Sequence, residues 1–352
     1  MTFIIEGRTI SKDHPPFIVA EIGANHNGSL EQCLELINIA ADCGADAVKF
    51  QTYTADTMTI NCHGPGFDID SGPWQGVSLY ELYRAAHTPW EWHPQMFHVA
   101  RNRGLLPFSA PFDPTAIDFL ESIGCPMYKI ASFEIVDIPL IEMAAATGCP
   151  IIMSTGMASD QEILDAIIAA DEQEALAVLH CVSGYPTPPE EANIRRVQEF
   201  QWYRQELGCE VGLSDHSLSV GIPSAAVTLG ATIIEKHLCL RRDHSTPDSH
   251  FSLEPAEFAQ MVIAAMDTWA ACRPCLTSVS EEHSRPHRRS LYVVQDIGAG
   301  ECITRENVRS IRPGYGAPPQ LLEQLLGERV RKKLVRGTPL NMLTIVQEIY
   351  PL

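Results

Sequence analysis

Short apolar runs alternate with longer amphipathic stretches through the larger, N-terminal part of the chain. Eight of the apolar runs have the length and composition of buried strands, and they cover residues 17–22, 47–51, 106–109, 127–132, 151–155, 177–181, 212–216 and 232–237. Most are separated by stretches of helical periodicity, such as 30–43, 114–123, 138–146 and 160–170. Strands that alternate with helices and are connected in parallel close most naturally into a (β/α)8 TIM barrel, with an open doubly wound sheet as the alternative.

Polar side chains gather at the carboxyl ends of these predicted strands, which favours the barrel. They are Glu21, Lys49, Gln51, Ser109, Lys129, Ser132, Ser154, Ser183, Ser214, His216, Lys236 and His237. In a barrel such ends surround one cavity, where the active site of this fold lies. The longest connection, 52–103, is expected to bind or cover a substrate there.

Two of the strands end in a histidine. His216 and His237 could meet at the barrel mouth, and the polar turn 244–249 brings the carboxylate of Asp248. These groups could hold a divalent ion, directly or through water, and the mixed nitrogen and oxygen ligands suit Mn or Mg, with Zn and Co also compatible. The alternative is that both are ordinary strand-end histidines with protein hydrogen-bond partners.

Lys49 and Lys129, with the strand-end serines, predict a positive pocket suited to phosphate or carboxylate. Two alternatives stay open: each lysine pairs with a carboxylate such as Glu134, or one lysine forms a Schiff base with a carbonyl substrate. An anion pocket beside a metal that polarises a carbonyl describes carbon–carbon bond formation on an aldehyde.

The barrel pattern ends before a polar linker, and a second module follows. We predict a barrel over residues 1–276, a linker over 277–289 and a small mainly β domain over 290–352. A domain of this size is marginally stable alone, so we expect it to pack against another part of the protein.

The composition limits the possible partners. Lys and Arg number 25 against 44 Asp and Glu, a net charge of −19, which argues against nucleic acid or an anionic membrane. The 11 scattered cysteines indicate a reduced, cytoplasmic protein, in which Cys272 and Cys275 are not expected to form a redox pair. No apolar run approaches the ~18 residues of a membrane span, and no export signal follows Met1.

Motifs along nearly the whole chain resemble the sialic acid synthase family. They are AEIGANHNG (20–28), ADAVKFQT (45–52), YKIASFE (128–134), STGM (154–157), YPTPPE (185–190), GLSDH (212–216), IEKH (234–237) and IRPGYG (311–316). Within the family, SLYELY (78–83), HTPWEWH (87–93) and IASFEIVDIP (130–139) are most similar to the pseudaminic acid branch.

The resemblance implies a barrel joined to an antifreeze-like (SAF) domain, and a homodimer in which that domain caps the partner's barrel. It also implies condensation of phosphoenolpyruvate with the open-chain aldehyde of an acetamido sugar. For the pseudaminic branch the sugar is 2,4-diacetamido-2,4,6-trideoxy-L-altrose, and the products are pseudaminic acid and phosphate. N-acetylneuraminate and legionaminate synthases share this chemistry and remain alternatives, and a non-catalytic sugar-binding barrel is a more distant one.

The resemblance further assigns roles to individual residues. Those expected to bind phosphoenolpyruvate are Lys49, Lys129, Ser132, Ser154, Ser183 and Ser214. Those expected to contact the sugar are Glu21, Tyr185, Asp248 and Arg312, with Arg312 reaching from the partner. His216 and His237 are the expected metal ligands, usually for Mn, with Asp248 contacting the metal through water. Glu134 is placed to help the attacking water, and with Glu21, Asp248 and Arg312 it makes up the expected catalytic set.

Two departures from the family pattern affect phosphoenolpyruvate binding. A separate expectation concerns the sugar. A hydroxyl residue is often found where this chain has Ala110, so that contact is lost or taken by Ser109. Ser183 replaces an asparagine, so its hydrogen bond must be shorter or water-mediated. A trideoxy sugar would favour a more apolar site, for which Phe133, Trp74 and Trp90 are the candidate wall.

Overall fold

The computed structural model describes residues 3–72, 74–170, 175–243, 245–274 and 278–349. The chain forms two compact units, Met1–Arg273 and Pro274–Leu352. Cys275, one half of the cysteine pair considered above, lies outside the described residues. The described cysteines are all free of disulfides.

The first unit is a closed parallel barrel preceded by an antiparallel hairpin of β1 (Phe3–Ile5) and β2 (Arg8–Ile10). Within the described residues the barrel has eight strands, which are β3 (Phe17–Glu21), β4 (Ala47–Thr52), β5 (Leu106–Pro111), β6 (Tyr128–Ile130), β7 (Ile151–Ser154), β8 (Leu176–Cys181), β9 (Glu210–Asp215) and β10 (Ile233–His237). Strand β10 pairs in parallel with β3 and so closes the sheet. The predicted barrel is confirmed, and the open doubly wound sheet is wrong.

Helices surround the barrel and fill its longest connection. Their bounds are α1 (Leu30–Asp42), α2 (Ala55–Met58), α3 (Leu79–Ala86), α4 (His93–Asn102), α5 (Pro114–Ser122), α6 (Ile138–Ala146), α7 (Asp160–Ala169), α8 (Arg195–Glu199), α9 (Gln201–Leu207), α10 (Gly221–Thr228) and α11 (Pro255–Cys272). Short 3-10 turns lie at Gly23–His26, Trp90–Trp92, Pro189–Glu191 and Ser249–Phe251. None of the helices in the described part of the chain is both long and apolar enough to cross a bilayer.

Local sequence explains where several of these helices begin. Ser29 accepts a hydrogen bond from the backbone N–H of Gln32 at the start of α1, and Ser159 and Glu162 form a capping box on α7. Asp113 caps α5, whose first residue is proline. The barrel strands between the helices are almost wholly buried, as expected when both faces of a parallel sheet are covered.

The second unit has its own small core and short strands. Strands β11 (Ser290–Val293) and β12 (Val308–Ile311) pair antiparallel, and isolated bridges such as Ile297 to Leu334 extend the pairing. Its helices are α12 (Val279–Ser284), α13 (Leu322–Leu325) and α14 (Met342–Glu348), with 3-10 turns at Arg285–His287 and Pro319–Leu321. The predicted linker 277–289 therefore contains a short helix, which Ser278 caps by accepting from the N–H of Glu281.

Candidate active site

The strand ends and the loops that follow them enclose a cavity of about 460 Å³ in the barrel unit. Its polar lining residues are Lys49, Gln51, Tyr53, Tyr83, Lys129, Ser132, Glu134, Ser154, Cys181, Ser183, Tyr185, Ser214, His216, Glu235, His237 and Asp248. All the predicted site residues except Glu21 and Arg312 thus lie around one cavity. Their roles in binding and catalysis remain predictions.

Lys129 is held by two hydrogen bonds at the bottom of the cavity. Its Nζ donates to Ser154 Oγ at 2.7 Å and to the carbonyl of Ile130 at 3.1 Å. Burial lowers the pKa of this lysine, because the charged form is less stable away from water. An anionic ligand bound against it would stabilise the charged form and raise this pKa again, which suits a phosphate or carboxylate site.

Ser132 and Ser183 come together beside this lysine, with 2.8 Å between their hydroxyl oxygens. Gly156 makes that approach possible. Its φ is +51°, and a Cβ atom there would lie 2.5 Å from the Cβ of Ser132 and 2.8 Å from the hydroxyl of Ser183. Any side chain at Gly156 would therefore displace the serine pair.

Lys49 pairs with a fully buried carboxylate behind the cavity wall. Its Nζ lies 2.7 Å from Glu21 Oε2, and Gln51 donates from Nε2 to Glu21 Oε1 at 2.9 Å. Burial raises the pKa of Glu21, and although burial opposes the charge on Lys49, the carboxylates of Glu21 and Glu235 outweigh it and raise the pKa of the lysine. Glu21 has no contact surface on the cavity as placed, so its predicted sugar contact requires Gln51 or Lys49 to move.

Glu235 is a site residue that the sequence reasoning missed. Its Oε1 accepts from Ser214 Oγ at 3.2 Å and lies 3.6 Å from Lys49 Nζ and 3.9 Å from Lys129 Nζ. Its Oε2 has no hydrogen-bond partner among the described residues. Burial alone would raise the pKa of Glu235, but Lys129 and Lys49 outweigh burial, so the pKa is lowered. The signal was present, because Glu235 stands two residues before His237 on one strand and must face the same way.

The expectation of a positive pocket is therefore wrong in its charge balance. Lys49 and Lys129 are offset by the buried carboxylates of Glu21 and Glu235, as in the alternative that the lysines pair with carboxylates, although the partners are these two residues and not Glu134. The reason is burial: two ammonium groups removed from water need nearby counter-charges. A ligand with three negative charges would therefore bind to a cluster of two lysines and two carboxylates whose own charges already cancel.

His216 and His237 face each other at the mouth, with their ring centroids 5.4 Å apart. His216 Nδ1 lies 3.0 Å from the carbonyl of Val182, and since a carbonyl only accepts, Nδ1 donates, which puts the lone pair of the neutral ring on Nε2. His237 Nδ1 is buried with no hydrogen-bond partner among the described residues, and burial holds the pKa of this histidine well below its usual value. His237 is therefore neutral, which is the form that binds metals. Burial opposes the charge on His216, but the nearby Cys181 outweighs burial and raises the pKa of this histidine, so a metal at its Nε2 would compete with a proton.

Asp248 completes this end of the cavity. Its Oδ2 lies 3.8 Å from His237 Nδ1 and accepts from the backbone N–H of Ala24 at 2.9 Å. Gly23, at φ +49°, leaves room for it, because a Cβ there would lie 2.3 Å from the same oxygen. Burial raises the pKa of Asp248 to about 6.

These donors fit a divalent ion with an incomplete protein shell. Among the described residues no cluster of three or more His, Cys, Asp or Glu side chains forms a ready-made metal site. The two imidazoles could ligate the ion directly, and water or substrate oxygen would fill the other positions. Asp248 lies near enough to act through water, as the resemblance implies.

Glu134 and Tyr185 lie over the polar floor. Glu134 Oε2 is buried without a hydrogen-bond partner in the described part of the chain, and burial raises the pKa of this carboxyl to about 7. The ring of Tyr185 packs 4.6 Å from that of His216 and 4.9 Å from that of Phe251. Glu134 can therefore exchange a proton near neutral pH.

Three polar or aromatic predictions fail because the side chains point away from the cavity. Lys236 pairs with Asp215 at 2.5 Å on the outer face of the barrel. The hydroxyl of Ser109 lies 2.7 Å from that of Thr52, also outside, so it cannot replace the contact missing at Ala110. Side chains alternate between the two faces of a strand, and both residues occupy the outward positions.

The third failure is Trp90 as part of the apolar wall. Its indole donates to the carbonyl of Tyr53 at 3.2 Å, and its ring stacks on that of Phe119 at 4.9 Å. Trp74 and Phe133 do line the cavity. Trp74 is anchored by a hydrogen bond from its indole to the carbonyl of Pro247 at 3.1 Å.

Arg312 lies in the second unit, directly after β12, and is exposed. Its predicted reach into a partner's barrel concerns a second chain. That role therefore stays a prediction.

Similarity to known proteins agrees with this fold. Residues 36–274 match the NeuB family, and residues 288–343 match the SAF domain. A pseudaminic acid synthase from Helicobacter pylori is 42% identical over 93% of this chain and 97% of its own length. An N,N'-diacetyllegionaminic acid synthase from Legionella pneumophila is 33% identical over 92% of this chain and 93% of its own length. The crystal structure of an N-acetylneuraminic acid synthetase from Leptospira borgpetersenii has a TM-score of 0.71 and 31% identity, covering 81% of this chain and 95% of that one.

The barrel and its site define an enzyme of the sialic acid synthase type. The chain belongs to the NeuB family, with a SAF domain after the barrel. The predicted fold class is confirmed in both parts.

Proposed function

We propose that the protein condenses phosphoenolpyruvate with 2,4-diacetamido-2,4,6-trideoxy-L-altrose to give pseudaminic acid and phosphate. The observation that carries the proposal is the juxtaposition of two sites in one cavity: the pocket of Lys49, Lys129 and the serines, and the pair His216 and His237. The higher identity to a pseudaminic acid synthase than to a legionaminic acid synthase supports the choice of sugar.

In this proposal the anion pocket holds phosphoenolpyruvate. Lys129 and the serine pair Ser132 and Ser183 contact the phosphate, with Ser154 and Ser214 completing the donors and Lys49 serving the carboxylate. Hydrogen bonds to charged oxygens in a buried site are strong and directional, so they fix the orientation of the enol carbon. Bound in this way, C3 of phosphoenolpyruvate points toward the histidine pair.

The proposed cofactor is a divalent metal, Mn first, with Mg or Co as alternatives. His216 and His237 would hold it, and Asp248 would contact it through water. When bound, such an ion supplies Lewis-acid polarisation of the aldehyde oxygen. Asp248, Tyr185 and Gln51 line the same cavity as the two histidines and would orient the sugar hydroxyls.

The chain's own residues then stabilise the developing charge and transfer protons. C3 attacks the aldehyde carbon, and the positive charge that develops at C2 is flanked by the phosphate and by the carboxylate of Glu134. Water adds to C2 and gives its proton to Glu134, whose pKa of about 7 suits a base at neutral pH. The tetrahedral intermediate collapses with C–O cleavage: the C2 hydroxyl passes its proton to the departing phosphate and becomes the keto group, and the proton held by Glu134 returns to the alkoxide formed from the aldehyde oxygen. Preorganised charge carries this catalysis, without a covalent enzyme intermediate.

The proposal includes a cytoplasmic homodimer in which the SAF domain of one copy caps the barrel of the other. The support is the family resemblance and the exposed position of Arg312, which would reach a sugar N-acetyl group of the partner's substrate. Analytical ultracentrifugation at micromolar concentration tests the assembly. A strictly monomeric, fully active enzyme would contradict it.

Phosphate release by the purified, Mn-loaded protein tests the reaction. The diacetamido-trideoxy altrose, N-acetylmannosamine and the legionaminic precursor are offered in separate reactions with phosphoenolpyruvate, and release only with the first is expected. Release with either of the others instead assigns the enzyme to the neuraminate or legionaminate branch.

Two controls separate the other classes of function. Chelation of the metal should abolish turnover, whereas a sugar-binding module would keep its affinity for the sugar. Borohydride treatment with pyruvate should leave the protein unmodified, whereas a Schiff-base aldolase would be trapped.

A further inference from the structure

Much of the cavity lining is apolar, and α3 contributes one stretch of it. Leu79, Leu82, Tyr83 and Ala86 all line the cavity. Their spacing of three, four and seven residues puts them on one face of the helix. We call these four residues the α3 face. The charged side chains of the cavity come instead from the strand ends and the loops that follow them.

Aromatic and apolar neighbours extend the α3 face toward the strand ends. The ring of Tyr83 lies 5.9 Å from that of Tyr53, and Tyr53 in turn lies 5.2 Å from Phe112, both in edge-to-face contact. Met58 of α2 and Ile69 line the cavity beside them. Together these side chains form a wall that is apolar apart from the phenol groups of Tyr53 and Tyr83.

The helix that carries this wall is firmly anchored. Ser78 and Glu81 form a capping box at its start, with the N–H of Glu81 donating to Ser78 Oγ at 3.2 Å and the N–H of Ser78 donating to Glu81 Oε2 at 3.1 Å. Tyr80 donates from its hydroxyl to Asp56 Oδ1 at 3.1 Å and so joins α3 to α2. A wall built on a fixed helix can discriminate between ligands by shape and polarity.

We propose that the α3 face selects the acceptor sugar by receiving the methyl group that ends a 6-deoxy carbon chain. The inference rests on the proposed function and names the part of the site that sets sugar choice. Leu79, Leu82 and Ala86 of this face offer no hydrogen bond to a terminal hydroxyl, and burying that hydroxyl against them without a partner is unfavourable, whereas a methyl group gains from burial. The aldehyde end of the sugar then faces His216 and His237, where the polar groups lie.

Two sugars that differ at a single carbon test this assignment. The Mn-loaded enzyme is assayed with the diacetamido-trideoxy altrose and with its 6-hydroxy counterpart, and kcat/KM is measured for each. We expect the wild type to prefer the methyl-terminated sugar by roughly 10- to 200-fold, the range of one group in an apolar pocket. Replacing Leu82 by Asn should reduce that preference at least about fivefold, mainly by weakening the reaction of the deoxy sugar.

Matched variants separate selection from folding. Ala85 lies on the exposed side of α3, so Ala85→Asn adds the same residue to the same helix and should leave the preference unchanged. Leu82→Met should keep most of the preference because it stays apolar. If Leu82→Asn does not fold, as judged by circular dichroism, Met58→Gln gives a second change of polarity in the same wall.

The outcomes are distinguishable. Equal kcat/KM for the two sugars in the wild type overturns the inference and leaves the proposed reaction standing. A Leu82→Asn variant that loses activity toward both sugars in the same proportion also overturns it, because Leu82 then only supports the fold. Release of phosphate with neither sugar refutes the proposed function, and the inference falls with it.

Discussion

Lys236 Nζ lies 2.5 Å from Asp215 Oδ2, and this buried ion pair joins the two residues that directly precede His237 and His216. Lys236 also donates to the carbonyl of Ser217, while Asp215 accepts from the N–H of Ser217 at 2.9 Å. The pair lies on the outer face of the barrel, and the histidines lie on the inner face. It therefore braces the backbone on both sides of His216 and sets the spacing of the two imidazoles.

Replacing Lys236 by Met should damage both stability and the metal site. The change leaves Asp215 buried without its counter-charge, which costs about 3–5 kcal/mol of unfolding free energy. We expect Mn affinity to fall roughly 10- to 100-fold, as for other groups that orient metal ligands. Urea unfolding gives the first quantity, and the electron paramagnetic resonance signal of free Mn gives the second.

An exposed ion pair supplies the control for this prediction. Arg103 pairs with Asp42 at the surface of the same unit, so Arg103→Met should change stability by less than about 1 kcal/mol and leave Mn affinity unchanged. Equal effects of the two substitutions would show that the Lys236–Asp215 pair does not position the histidines.

Replacing Glu134 by Gln should remove the rise of activity with pH. In the wild type this carboxyl loses its proton as pH rises through about 7, so kcat should increase through that range if Glu134 accepts a proton from water. The Gln variant should show a flat profile over the same range, with kcat lower by about 10²- to 10⁴-fold. The measurement is kcat from pH 5.5 to 8.5 with both substrates saturating.

Glu134→Gln should lower activity but raise stability at high pH. A folded-state pKa above the ordinary value of 4.5 means that the folded protein holds the proton more tightly between 4.5 and about 7, so stability falls as pH rises through that window. Glu134→Gln should therefore gain up to about 3 kcal/mol relative to wild type at pH 8 and almost nothing at pH 4. Glu142→Gln, an exposed position on α6, should show no such gain. A gain in unfolding free energy that does not depend on pH would contradict the conclusion that burial disfavours the Glu134 carboxylate.

Replacing Gly156 by Ala should weaken phosphoenolpyruvate binding specifically. The new methyl group would collide with Ser132 and Ser183, so we expect KM for phosphoenolpyruvate to rise about tenfold or more, with a much smaller change in KM for the sugar. Gly124 also has positive φ, at +68°, but open space around its missing Cβ. Gly124→Ala thus carries the backbone strain, about 1–2 kcal/mol, without the collision. Matching KM values for the two variants would show that the serine pair is not part of the anion site.

The barrel could be predicted from the sequence because each strand can be recognised from its own residues. Runs such as Phe17–Glu21 and Ile151–Ser154 are apolar on both faces, and this pattern depends only on neighbouring residues. The histidines and lysines at the strand ends were found for the same reason. Helix α3 escaped the sequence reasoning because it lies inside a long connection whose Gly and Pro residues dominate the pattern.

The errors arose where a residue's role depends on which face of the strand its side chain occupies. Lys236 and Glu235 are adjacent, yet only Glu235 faces the cavity. Naming polar residues by position along the strand, without applying the twofold alternation, selected the wrong one. Trp90 failed differently: its ring has two plausible places to pack, and tertiary contacts with Tyr53 and Phe119 chose between them.

The most direct test of the central claim is the fate of oxygen when the enzyme joins phosphoenolpyruvate to the trideoxy altrose in ¹⁸O-labelled water. Mass spectrometry should detect a nine-carbon keto acid, formed only with Mn present, together with phosphate that carries no label, because water adds at C2 and the C–O bond breaks. Labelled phosphate would place the cleavage at phosphorus. Phosphate without the joined product would show that the cavity does not bring an enol and an aldehyde together, and either result would contradict the account.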